Sequence, residues 1–326
     1  MRIRLLIIAA VALATIGTAA GMAAASPATA ASPATAASPA NAASGPCGTA
    51  ATPHSYQHVV WIWMENHSFS DIIGNNAQAP YLNSLAAQCG LATNYHNTSH
   101  PSLPNYLSAT SGLAEAHLPP LSFFDCNVSS VCHTSAPSIF GQGETWKAYQ
   151  ESMPSSCDRS NSGEYAVRHN PPPYYTTLSG CAKHDVPYPA LATDLARNDL
   201  PAFSFITPNL IDDMHDGTIA QGDTWLARNL PVILNSKAYR AGTTVVFITW
   251  DEGSGGYPAE DCDDPGDSDN SCHVPTIVIS PSTPAGIRSG TFFNHYSLLR
   301  TTEQLLGLPR LDQAASAPSM IAAFHL

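Results

Sequence analysis

Four short runs, HVVWIWM (58–64), PAFSFIT (201–207), TTVVFITW (243–250) and VPTIVIS (274–280), are almost wholly apolar and rich in β-branched and aromatic residues. Such runs read as strands buried on both faces, which need a cover on each side of the sheet. Helical patterns lie between them. APYLNSLAAQCG spaces its apolar residues at helical intervals and stops at glycine; IAQGDTWLARNLPVILNSKAYRAG reads as one or two helices interrupted by Pro231; HYSLLRTTEQLLGL is amphipathic. Strands alternating with helices predict an α/β fold, a mostly parallel central sheet flanked by helices. From Leu118 to Tyr188 the chain is rich in Cys, Pro and Ser and reads as a disulfide-rich irregular insertion, with LPPLSFF packed down or forming a pocket rim.

The opening residues stand outside that pattern. Met1–Arg4 carries two arginines, then LLIIAAVALATIGTAAGMAAA runs apolar and ends in small residues. Residues 1–25 therefore read as a secretory signal peptide cleaved near Ala25. An alanine-rich run makes a weak membrane span, so no stable membrane anchor is expected after cleavage. Residues 26–46 repeat Ser, Pro, Ala and Thr without a large apolar side chain, which predicts a disordered spacer. The folded domain is expected over 47–326. Eight cysteines, an even count in a chain marked for export, predict disulfides and an extracellular location. The most local pairing joins Cys126 to Cys132, Cys157 to Cys181 and Cys262 to Cys272, leaving Cys47 with Cys89. No CxxC pair is present, which argues against a zinc ribbon.

Net charge is −12, and loss of Arg2 and Arg4 with the leader takes it to −14. An acidic surface offers no counterion release from nucleic acid and no attraction to anionic lipid, so neither is an expected partner. The placement of the acids says more than their sum. Glu65-Asn66 follows the first strand, PNLIDDMHDG with Asn209, Asp212, Asp213, His215 and Asp216 follows the second, and Asp251-Glu252 follows the third. In open α/β sheets the carboxyl ends of the strands are where sites form. Each motif alone has an ordinary reading as a cap, a turn or a solvated loop. Together they gather carboxylates that repel one another unless a cation neutralises them. Oxygen donors with a histidine nearby suit a divalent ion such as Zn, Ca, Mg, Mn or Fe.

Such an ion changes the reading of HPSLPNYLSATSG (100–112), where Ser102 lies between two prolines at a helix start. By itself Ser102 reads as an N-cap. Beside a cation held by Glu65, Asn66, Asp251 and Glu252 it reads as an activated nucleophile, with Asn105 one turn on as a donor to a developing oxyanion. No GxSxG elbow suggests a Ser-His-Asp esterase instead. His215 and then His295, which opens the last helix, are candidates for a second metal or for phosphate; capping and packing roles compete most for His169, His273 and His100. NHS, NTS and NVS at Asn66, Asn97 and Asn127 match the glycosylation acceptor pattern, though Asn66 cannot be both ligand and acceptor.

MENHSFSDIIG, SHPSLPNYLSATSG, ITPNLIDDMHDG, ITWDEG, HVPTIVISP and NHYSLLRTTEQLLGLP, in this order between His58 and Pro309, resemble the phosphoesterase family of bacterial acid phosphatases and phospholipases C. That family belongs to the alkaline-phosphatase-like superfamily, and the likeness extends to the secreted mycobacterial acid phosphatases. The resemblance implies a metal bound by Glu65, Asn66, Asp251 and Glu252, with Ser102 as both ligand and nucleophile. SLPNY is also similar to the nucleophile segment of nucleotide pyrophosphatases, where a threonine matches Ser102 and an asparagine matches Asn105. By that likeness Asp213, His215 and His295 would lie at or near a second metal or the substrate phosphate. Those enzymes have Asp-His where this chain has Asp251-Glu252, and Asn209 stands where an acid is expected. The number of metals, and the choice between Asn209 and Asp213, stay open.

The expectation is a secreted, metal-dependent phosphatase that hydrolyses monoesters of small molecules or lipid headgroups through a phosphoserine at Ser102. Asn105 would stabilise the phosphoryl oxygens, and water or His215 would protonate the leaving alcohol. A phospholipase C-type diesterase is the alternative within the same chemistry; a metal- and phosphate-binding module without turnover is the alternative outside it.

Overall fold

A computed structural model describes residues 45–326 apart from 115–116, 119–120, 122 and 259. The expected signal peptide and most of the expected spacer lie outside the described residues. Ten strands are present among those described: β1 His58–Met64, β2 Gly90–Ala92, β3 Tyr95–His96, β4 Trp146–Gln150, β5 Asp185–Pro187, β6 Phe203–Thr207, β7 Thr244–Trp250, β8 Thr276–Ile279, β9 Arg288–Ser289 and β10 Phe293–Asn294. Eight form one sheet in the order β5-β4-β6-β1-β7-β8-β2-β9, and β10 pairs with β3 in a small parallel ribbon. Every pairing in the large sheet is parallel except those of β8, which runs antiparallel to both β7 and β2. The mostly parallel α/β architecture holds. The reversal of β8 sets Thr276 opposite Thr249, so the start of β8 lies at the same edge as the end of β7.

β1 and β7 form the centre because their sequences leave no polar face to expose. All seven residues of β7 are buried, as are Val59 to Met64 of β1. Trp61 and Trp63, two apart and so on one face, pack with Phe203, Phe205 and Tyr106. Among the described residues, five helices of eight residues or more accompany the sheet: α1 Pro80–Gln88, α2 Ser102–Ser111, α3 Ala190–Arg197, α4 Ile219–Leu234 and α5 His295–Leu305. Tyr106 of α2 meets Trp63 from the tryptophan face, and Thr302 of α5 accepts a bond from Trp61 Nε1 at 2.9 Å. Asp223 of α4 accepts from Tyr81 and Leu82 N–H, which ties α4 to the first turn of α1.

Two sequence expectations are refined. Pro231 does not break its helix; α4 continues to Leu234 because Trp225, Leu226, Leu230 and Ile233 bury a continuous stripe that outweighs one missing N–H. The 118–188 insertion is not wholly irregular, since it supplies β4 and β5 to one edge of the sheet. Their sequences, WKAYQ and DVP, are too short and too mixed in polarity to read as strands. In LPPLSFF, Leu118 and Leu121 are buried while Phe123 and Phe124 stand about half exposed (54% and 48%). All four disulfides join the local pairs read from chain order.

Candidate active site

Parallel strands deliver their following residues to one edge, and here the strand-end loops are bonded to each other. Glu65 N–H donates to the Asp213 carbonyl at 2.8 Å, and Asp251 N–H donates to the Met64 carbonyl at 3.1 Å. Asn66 adopts φ +47°, a left-handed conformation that asparagine tolerates better than most residues. Its N–H donates to Asp251 Oδ1 at 3.2 Å. Gly253 closes the Asp-Glu-Gly turn against the 271 backbone; a Cβ there would lie 2.4 Å from the Ser271 carbonyl oxygen.

α2 brings in the serine. Pro101 caps the helix, Ser102 is its first residue, and Gly112 ends it in the left-handed region. Ser102 is 1% exposed, and its hydroxyl donates to Glu65 Oε2 at 3.2 Å. Tyr106, one turn along the same face, donates its hydroxyl to Glu65 Oε1. Both oxygens of one buried carboxylate are thereby directed by side chains of a single helix.

Glu65, Asp213, Asp251 and Glu252 are all buried, and all have carboxyl pKa values pushed up. Burial is the largest cause in each case; Asp251, raised to about 6, is restrained by hydrogen bonds from Ser102 and Asn66. Negative neighbours add to the rise for Glu65, Asp213 and Glu252. Acids packed this way either hold protons or face a cation. Two details fit the cation. Asp251 Oδ2 is buried without a hydrogen-bond partner. The Asn66 carboxamide oxygen faces Asp251 Oδ1 at 3.3 Å and Glu65 Oε2 at 3.1 Å; turned over, its nitrogen would donate to both. Facing inward as an oxygen, it completes a set of hard donors suited to a divalent ion.

Glu252 sits slightly apart from this set. Its Oε2 is 2.9 Å from His100 Nδ1 and accepts from Asn105 Nδ2 at 3.4 Å. Burial lowers the His100 pKa to about 4, which favours the neutral ring beside the acid. Asn105 is itself heavily engaged. Its Oδ1 accepts from Thr98 N–H, Thr98 Oγ1 and Ser99 N–H, and its Nδ2 donates to the Ser99 and Pro101 carbonyls. The side chain thus fixes the turn that presents Ser102.

His169 lies at the heart of the cluster. It is 2% exposed, with Nε2 3.3 Å from Glu65 Oε2 and Nδ1 3.2 Å from Asp213 Oδ2. Its ring stacks on Tyr106, and burial, then the charge of Arg168, holds its pKa well below the usual value. Glu65, His169 and His215 each offer a ligand atom within 4.8 Å of the others. His215, however, points Nε2 at Arg168 Nη2, 3.0 Å away, and Nδ1 at Asp216 Oδ1, 2.7 Å away. A guanidinium at that nitrogen favours an anion beside it rather than a second cation.

The remaining candidates have other partners. His295 is fully buried, with Nε2 2.7 Å from the Asp251 carbonyl and Nδ1 3.1 Å from the Tyr95 hydroxyl, so both nitrogens are used in holding the Asp251 turn. Asn209 shapes the loop after β6, its Oδ1 accepting from Ile211 and Asp212 N–H. His273 stacks on Phe69 and His96. Asn97 is buried and donates to the Ser99 carbonyl, whereas Asn127 is exposed. Tyr106, Arg168 and Asp125 belong to the site and were not singled out from sequence. The signal for Tyr106 was its i+4 spacing from Ser102; for Arg168 it was scarcity, with only 13 Lys and Arg in the chain.

A sequence model of the phosphoesterase family matches residues 75–309, most of the chain. The chain belongs to the phosphoesterase family. It is accordingly a phosphoric ester hydrolase. The family match spans Ser102, Asp213 and Asp251, while Glu65 and Asn66 precede it. Among curated relatives, the phosphatidylinositol-3-phosphatase of Mycobacterium tuberculosis is 34% identical over 273 residues, covering 81% of each chain. An acid phosphatase of Aspergillus fumigatus is 27% identical over 270 residues, which are 77% of this chain and 55% of the fungal one. Among solved structures, a protein of the alkaline phosphatase superfamily from Vibrio parahaemolyticus shares the fold at a TM-score of 0.51 and 14% identity, over 82% of this chain and 71% of that one. The expected family and its alkaline-phosphatase-like architecture are both present.

Proposed function

We propose that this chain is an exported, metal-dependent phosphomonoesterase that works through a phosphoserine at Ser102, carried by a domain over 47–326. The observation that carries the reading is the Ser102 hydroxyl, buried at the start of α2 and bonded to a carboxylate inside a cluster of four acids. Glu65, Asn66, Asp251 and Ser102 would hold a divalent cation, with Glu252 beside them; when bound, it offsets their charge and acidifies the serine hydroxyl. The four disulfides accord with an oxidising compartment.

Ser102 Oγ attacks phosphorus in line and gives up its proton to water, while Glu65 Oε2, which accepts from the hydroxyl at 3.2 Å, keeps the oxygen oriented. Tyr106 keeps that carboxylate oriented through its other oxygen. Leu103 N–H, the Arg168 guanidinium and the positive end of α2 stabilise the phosphoryl oxygens. Asn105 and His295 position the serine turn and the Asp251 turn. The alcohol leaves with a proton from water or from the His215 side, and water then cleaves the phosphoserine.

The phosphoryl group would be carried by a small molecule or a lipid headgroup, in keeping with the names of the mycobacterial and fungal relatives. One observation favours the diesterase alternative: Phe123 and Phe124 stand exposed immediately before Asp125, as an apolar flank would near a lipid substrate. The test is hydrolysis of p-nitrophenyl phosphate against bis-p-nitrophenyl phosphate by the native protein, Ser102→Ala, and a chelated sample re-supplied with single metals. Monoester turnover lost in Ser102→Ala and after chelation, and regained with one metal, supports the proposal. Turnover of the diester alone selects the diesterase, and turnover of neither selects a binding module.

A further inference from the structure

One acid on the insertion contacts the donors that the proposed mechanism assigns to substrate. Asp125 Oδ1 accepts from the Leu103 N–H at 3.0 Å, and Leu103 is the residue after Ser102. Its Oδ2 lies 3.3 Å from Arg168 Nε. A first-turn N–H of a ten-residue helix, which has no acceptor within the helix, and a guanidinium are two classes of donor that bind phosphoryl oxygens. Arg168 is in turn held by His215, whose Nε2 accepts from its Nη2 at 3.0 Å. The acid has a fixed base: Cys126 closes the short disulfide to Cys132, and its carbonyl accepts from the Tyr174 hydroxyl.

We propose that Asp125 is a resident competitor for the phosphate site, its carboxylate spanning Leu103 N–H and Arg168 where two phosphoryl oxygens of the substrate must sit. Phosphate enters by displacing this carboxylate, so Asp125 is a specificity-determining residue. A monoester dianion carries more charge to the helix end and guanidinium than a monoanionic carboxylate does, and it wins the exchange. A diester carries one negative charge, as Asp125 does, and gains little by displacing it. The acid therefore biases the site toward monoesters. This rests on reading the start of α2 as the place where phosphate binds, but not on Ser102 turning anything over.

The test is titration of inorganic phosphate by calorimetry into the metal-loaded native protein, Asp125→Ala and Asp125→Asn, with monoester and diester kinetics on the same samples. Asn keeps an oxygen for Leu103 N–H and removes only the charge, so it guards against a helix-start defect in the Ala variant. Phosphate should bind about tenfold more tightly to both variants. The preference for p-nitrophenyl phosphate over the bis ester should narrow, and Arg168→Ala should remove most of the benefit of Asp125→Asn. Unchanged or weaker phosphate binding in Asp125→Asn overturns the inference, including the case in which no variant binds phosphate. Tighter binding without ester turnover in any sample leaves the inference standing and overturns the catalytic reading. Turnover that depends on Ser102 with no effect at Asp125 does the reverse.

Discussion

Glu65 and Asp251 stand at the ends of two neighbouring strands buried almost throughout, whereas Arg168 and His169 sit on one short 3-10 turn, Val167–His169. The first pair is positioned by backbone: β1 and β7 match residue for residue from His58–Thr244 to Met64–Trp250. The second is positioned by side chains. Val167 N–H donates to Asn161 Oδ1, Thr207 Oγ1 donates to the His169 carbonyl, and Asn170 donates to Asp185 and Tyr165. A sheet edge fixes charge with little freedom, which suits groups that must be preorganised for chemistry. A turn held by single hydrogen bonds can adjust, which suits groups that recognise substrate. The division implies that substitutions on the strand side act on kcat and on metal content, and those on the insertion side act on KM.

The largest effect is expected at Asp251. Asp251→Asn keeps the shape and removes a charge from the proposed cation site, and kcat should fall by roughly 10³-fold or more, with metal content falling in elemental analysis. If the metal stays and only KM rises, the division is wrong. Arg168→Ala should cost roughly 10–100-fold in kcat/KM, the scale of a charged hydrogen bond, and mostly through KM. A fall confined to kcat would move Arg168 to the strand side. Tyr106→Phe removes the hydroxyl on Glu65 Oε1 but keeps the ring stacked on His169. A drop of about tenfold in kcat with KM unchanged is expected, read from steady-state kinetics.

The same contrast explains what could be read from the chain alone. β1, β6, β7 and β8 were legible because a strand covered on both faces is written as an unbroken apolar run. Glu65, Asn66, Asp213 and Asp251 then stood out because polar residues follow such runs at one edge of the sheet. Ser102 was legible from its prolines and the helix after it. The insertion has no period to read: β4 and β5 are short, and its side chains reach the site through turns fixed by hydrogen bonds and two disulfides. His169 accordingly reads from sequence as one of the weaker candidates, although it contacts both Glu65 and Asp213. His273 could not be separated from it by sequence, yet it packs between Phe69 and His96. The antiparallel course of β8 was equally hidden, since direction within a sheet is set by how the connections cross and not by strand composition.

Glu303 provides the smallest and most selective check, because it lies in neither half of the site. It is buried on α5, where Oε1 accepts from Leu311 N–H at 2.9 Å and from Gln142 Nε2 at 3.4 Å, while Oε2 has no partner. Burial pushes its pKa up to about 7 against the pull of those donors and of Arg310 and Arg300. An acid with a raised pKa in the folded state binds its proton more tightly there than in the unfolded chain. Its cost is therefore absent below the ordinary carboxyl pKa of 4.5, grows as pH rises through that value, and is complete above about 7. Glu303→Gln keeps the acceptor for Leu311 and removes the charge. Its stability relative to the native protein, measured by urea unfolding, should rise from pH 4.5 to 7 and then level off, while kcat and KM for p-nitrophenyl phosphate stay as they were. A flat difference across that window would show that Glu303 ionises without penalty. A change in kcat would show that the charge at Glu303 reaches the strand side, and the separation between fold and site would have to be redrawn.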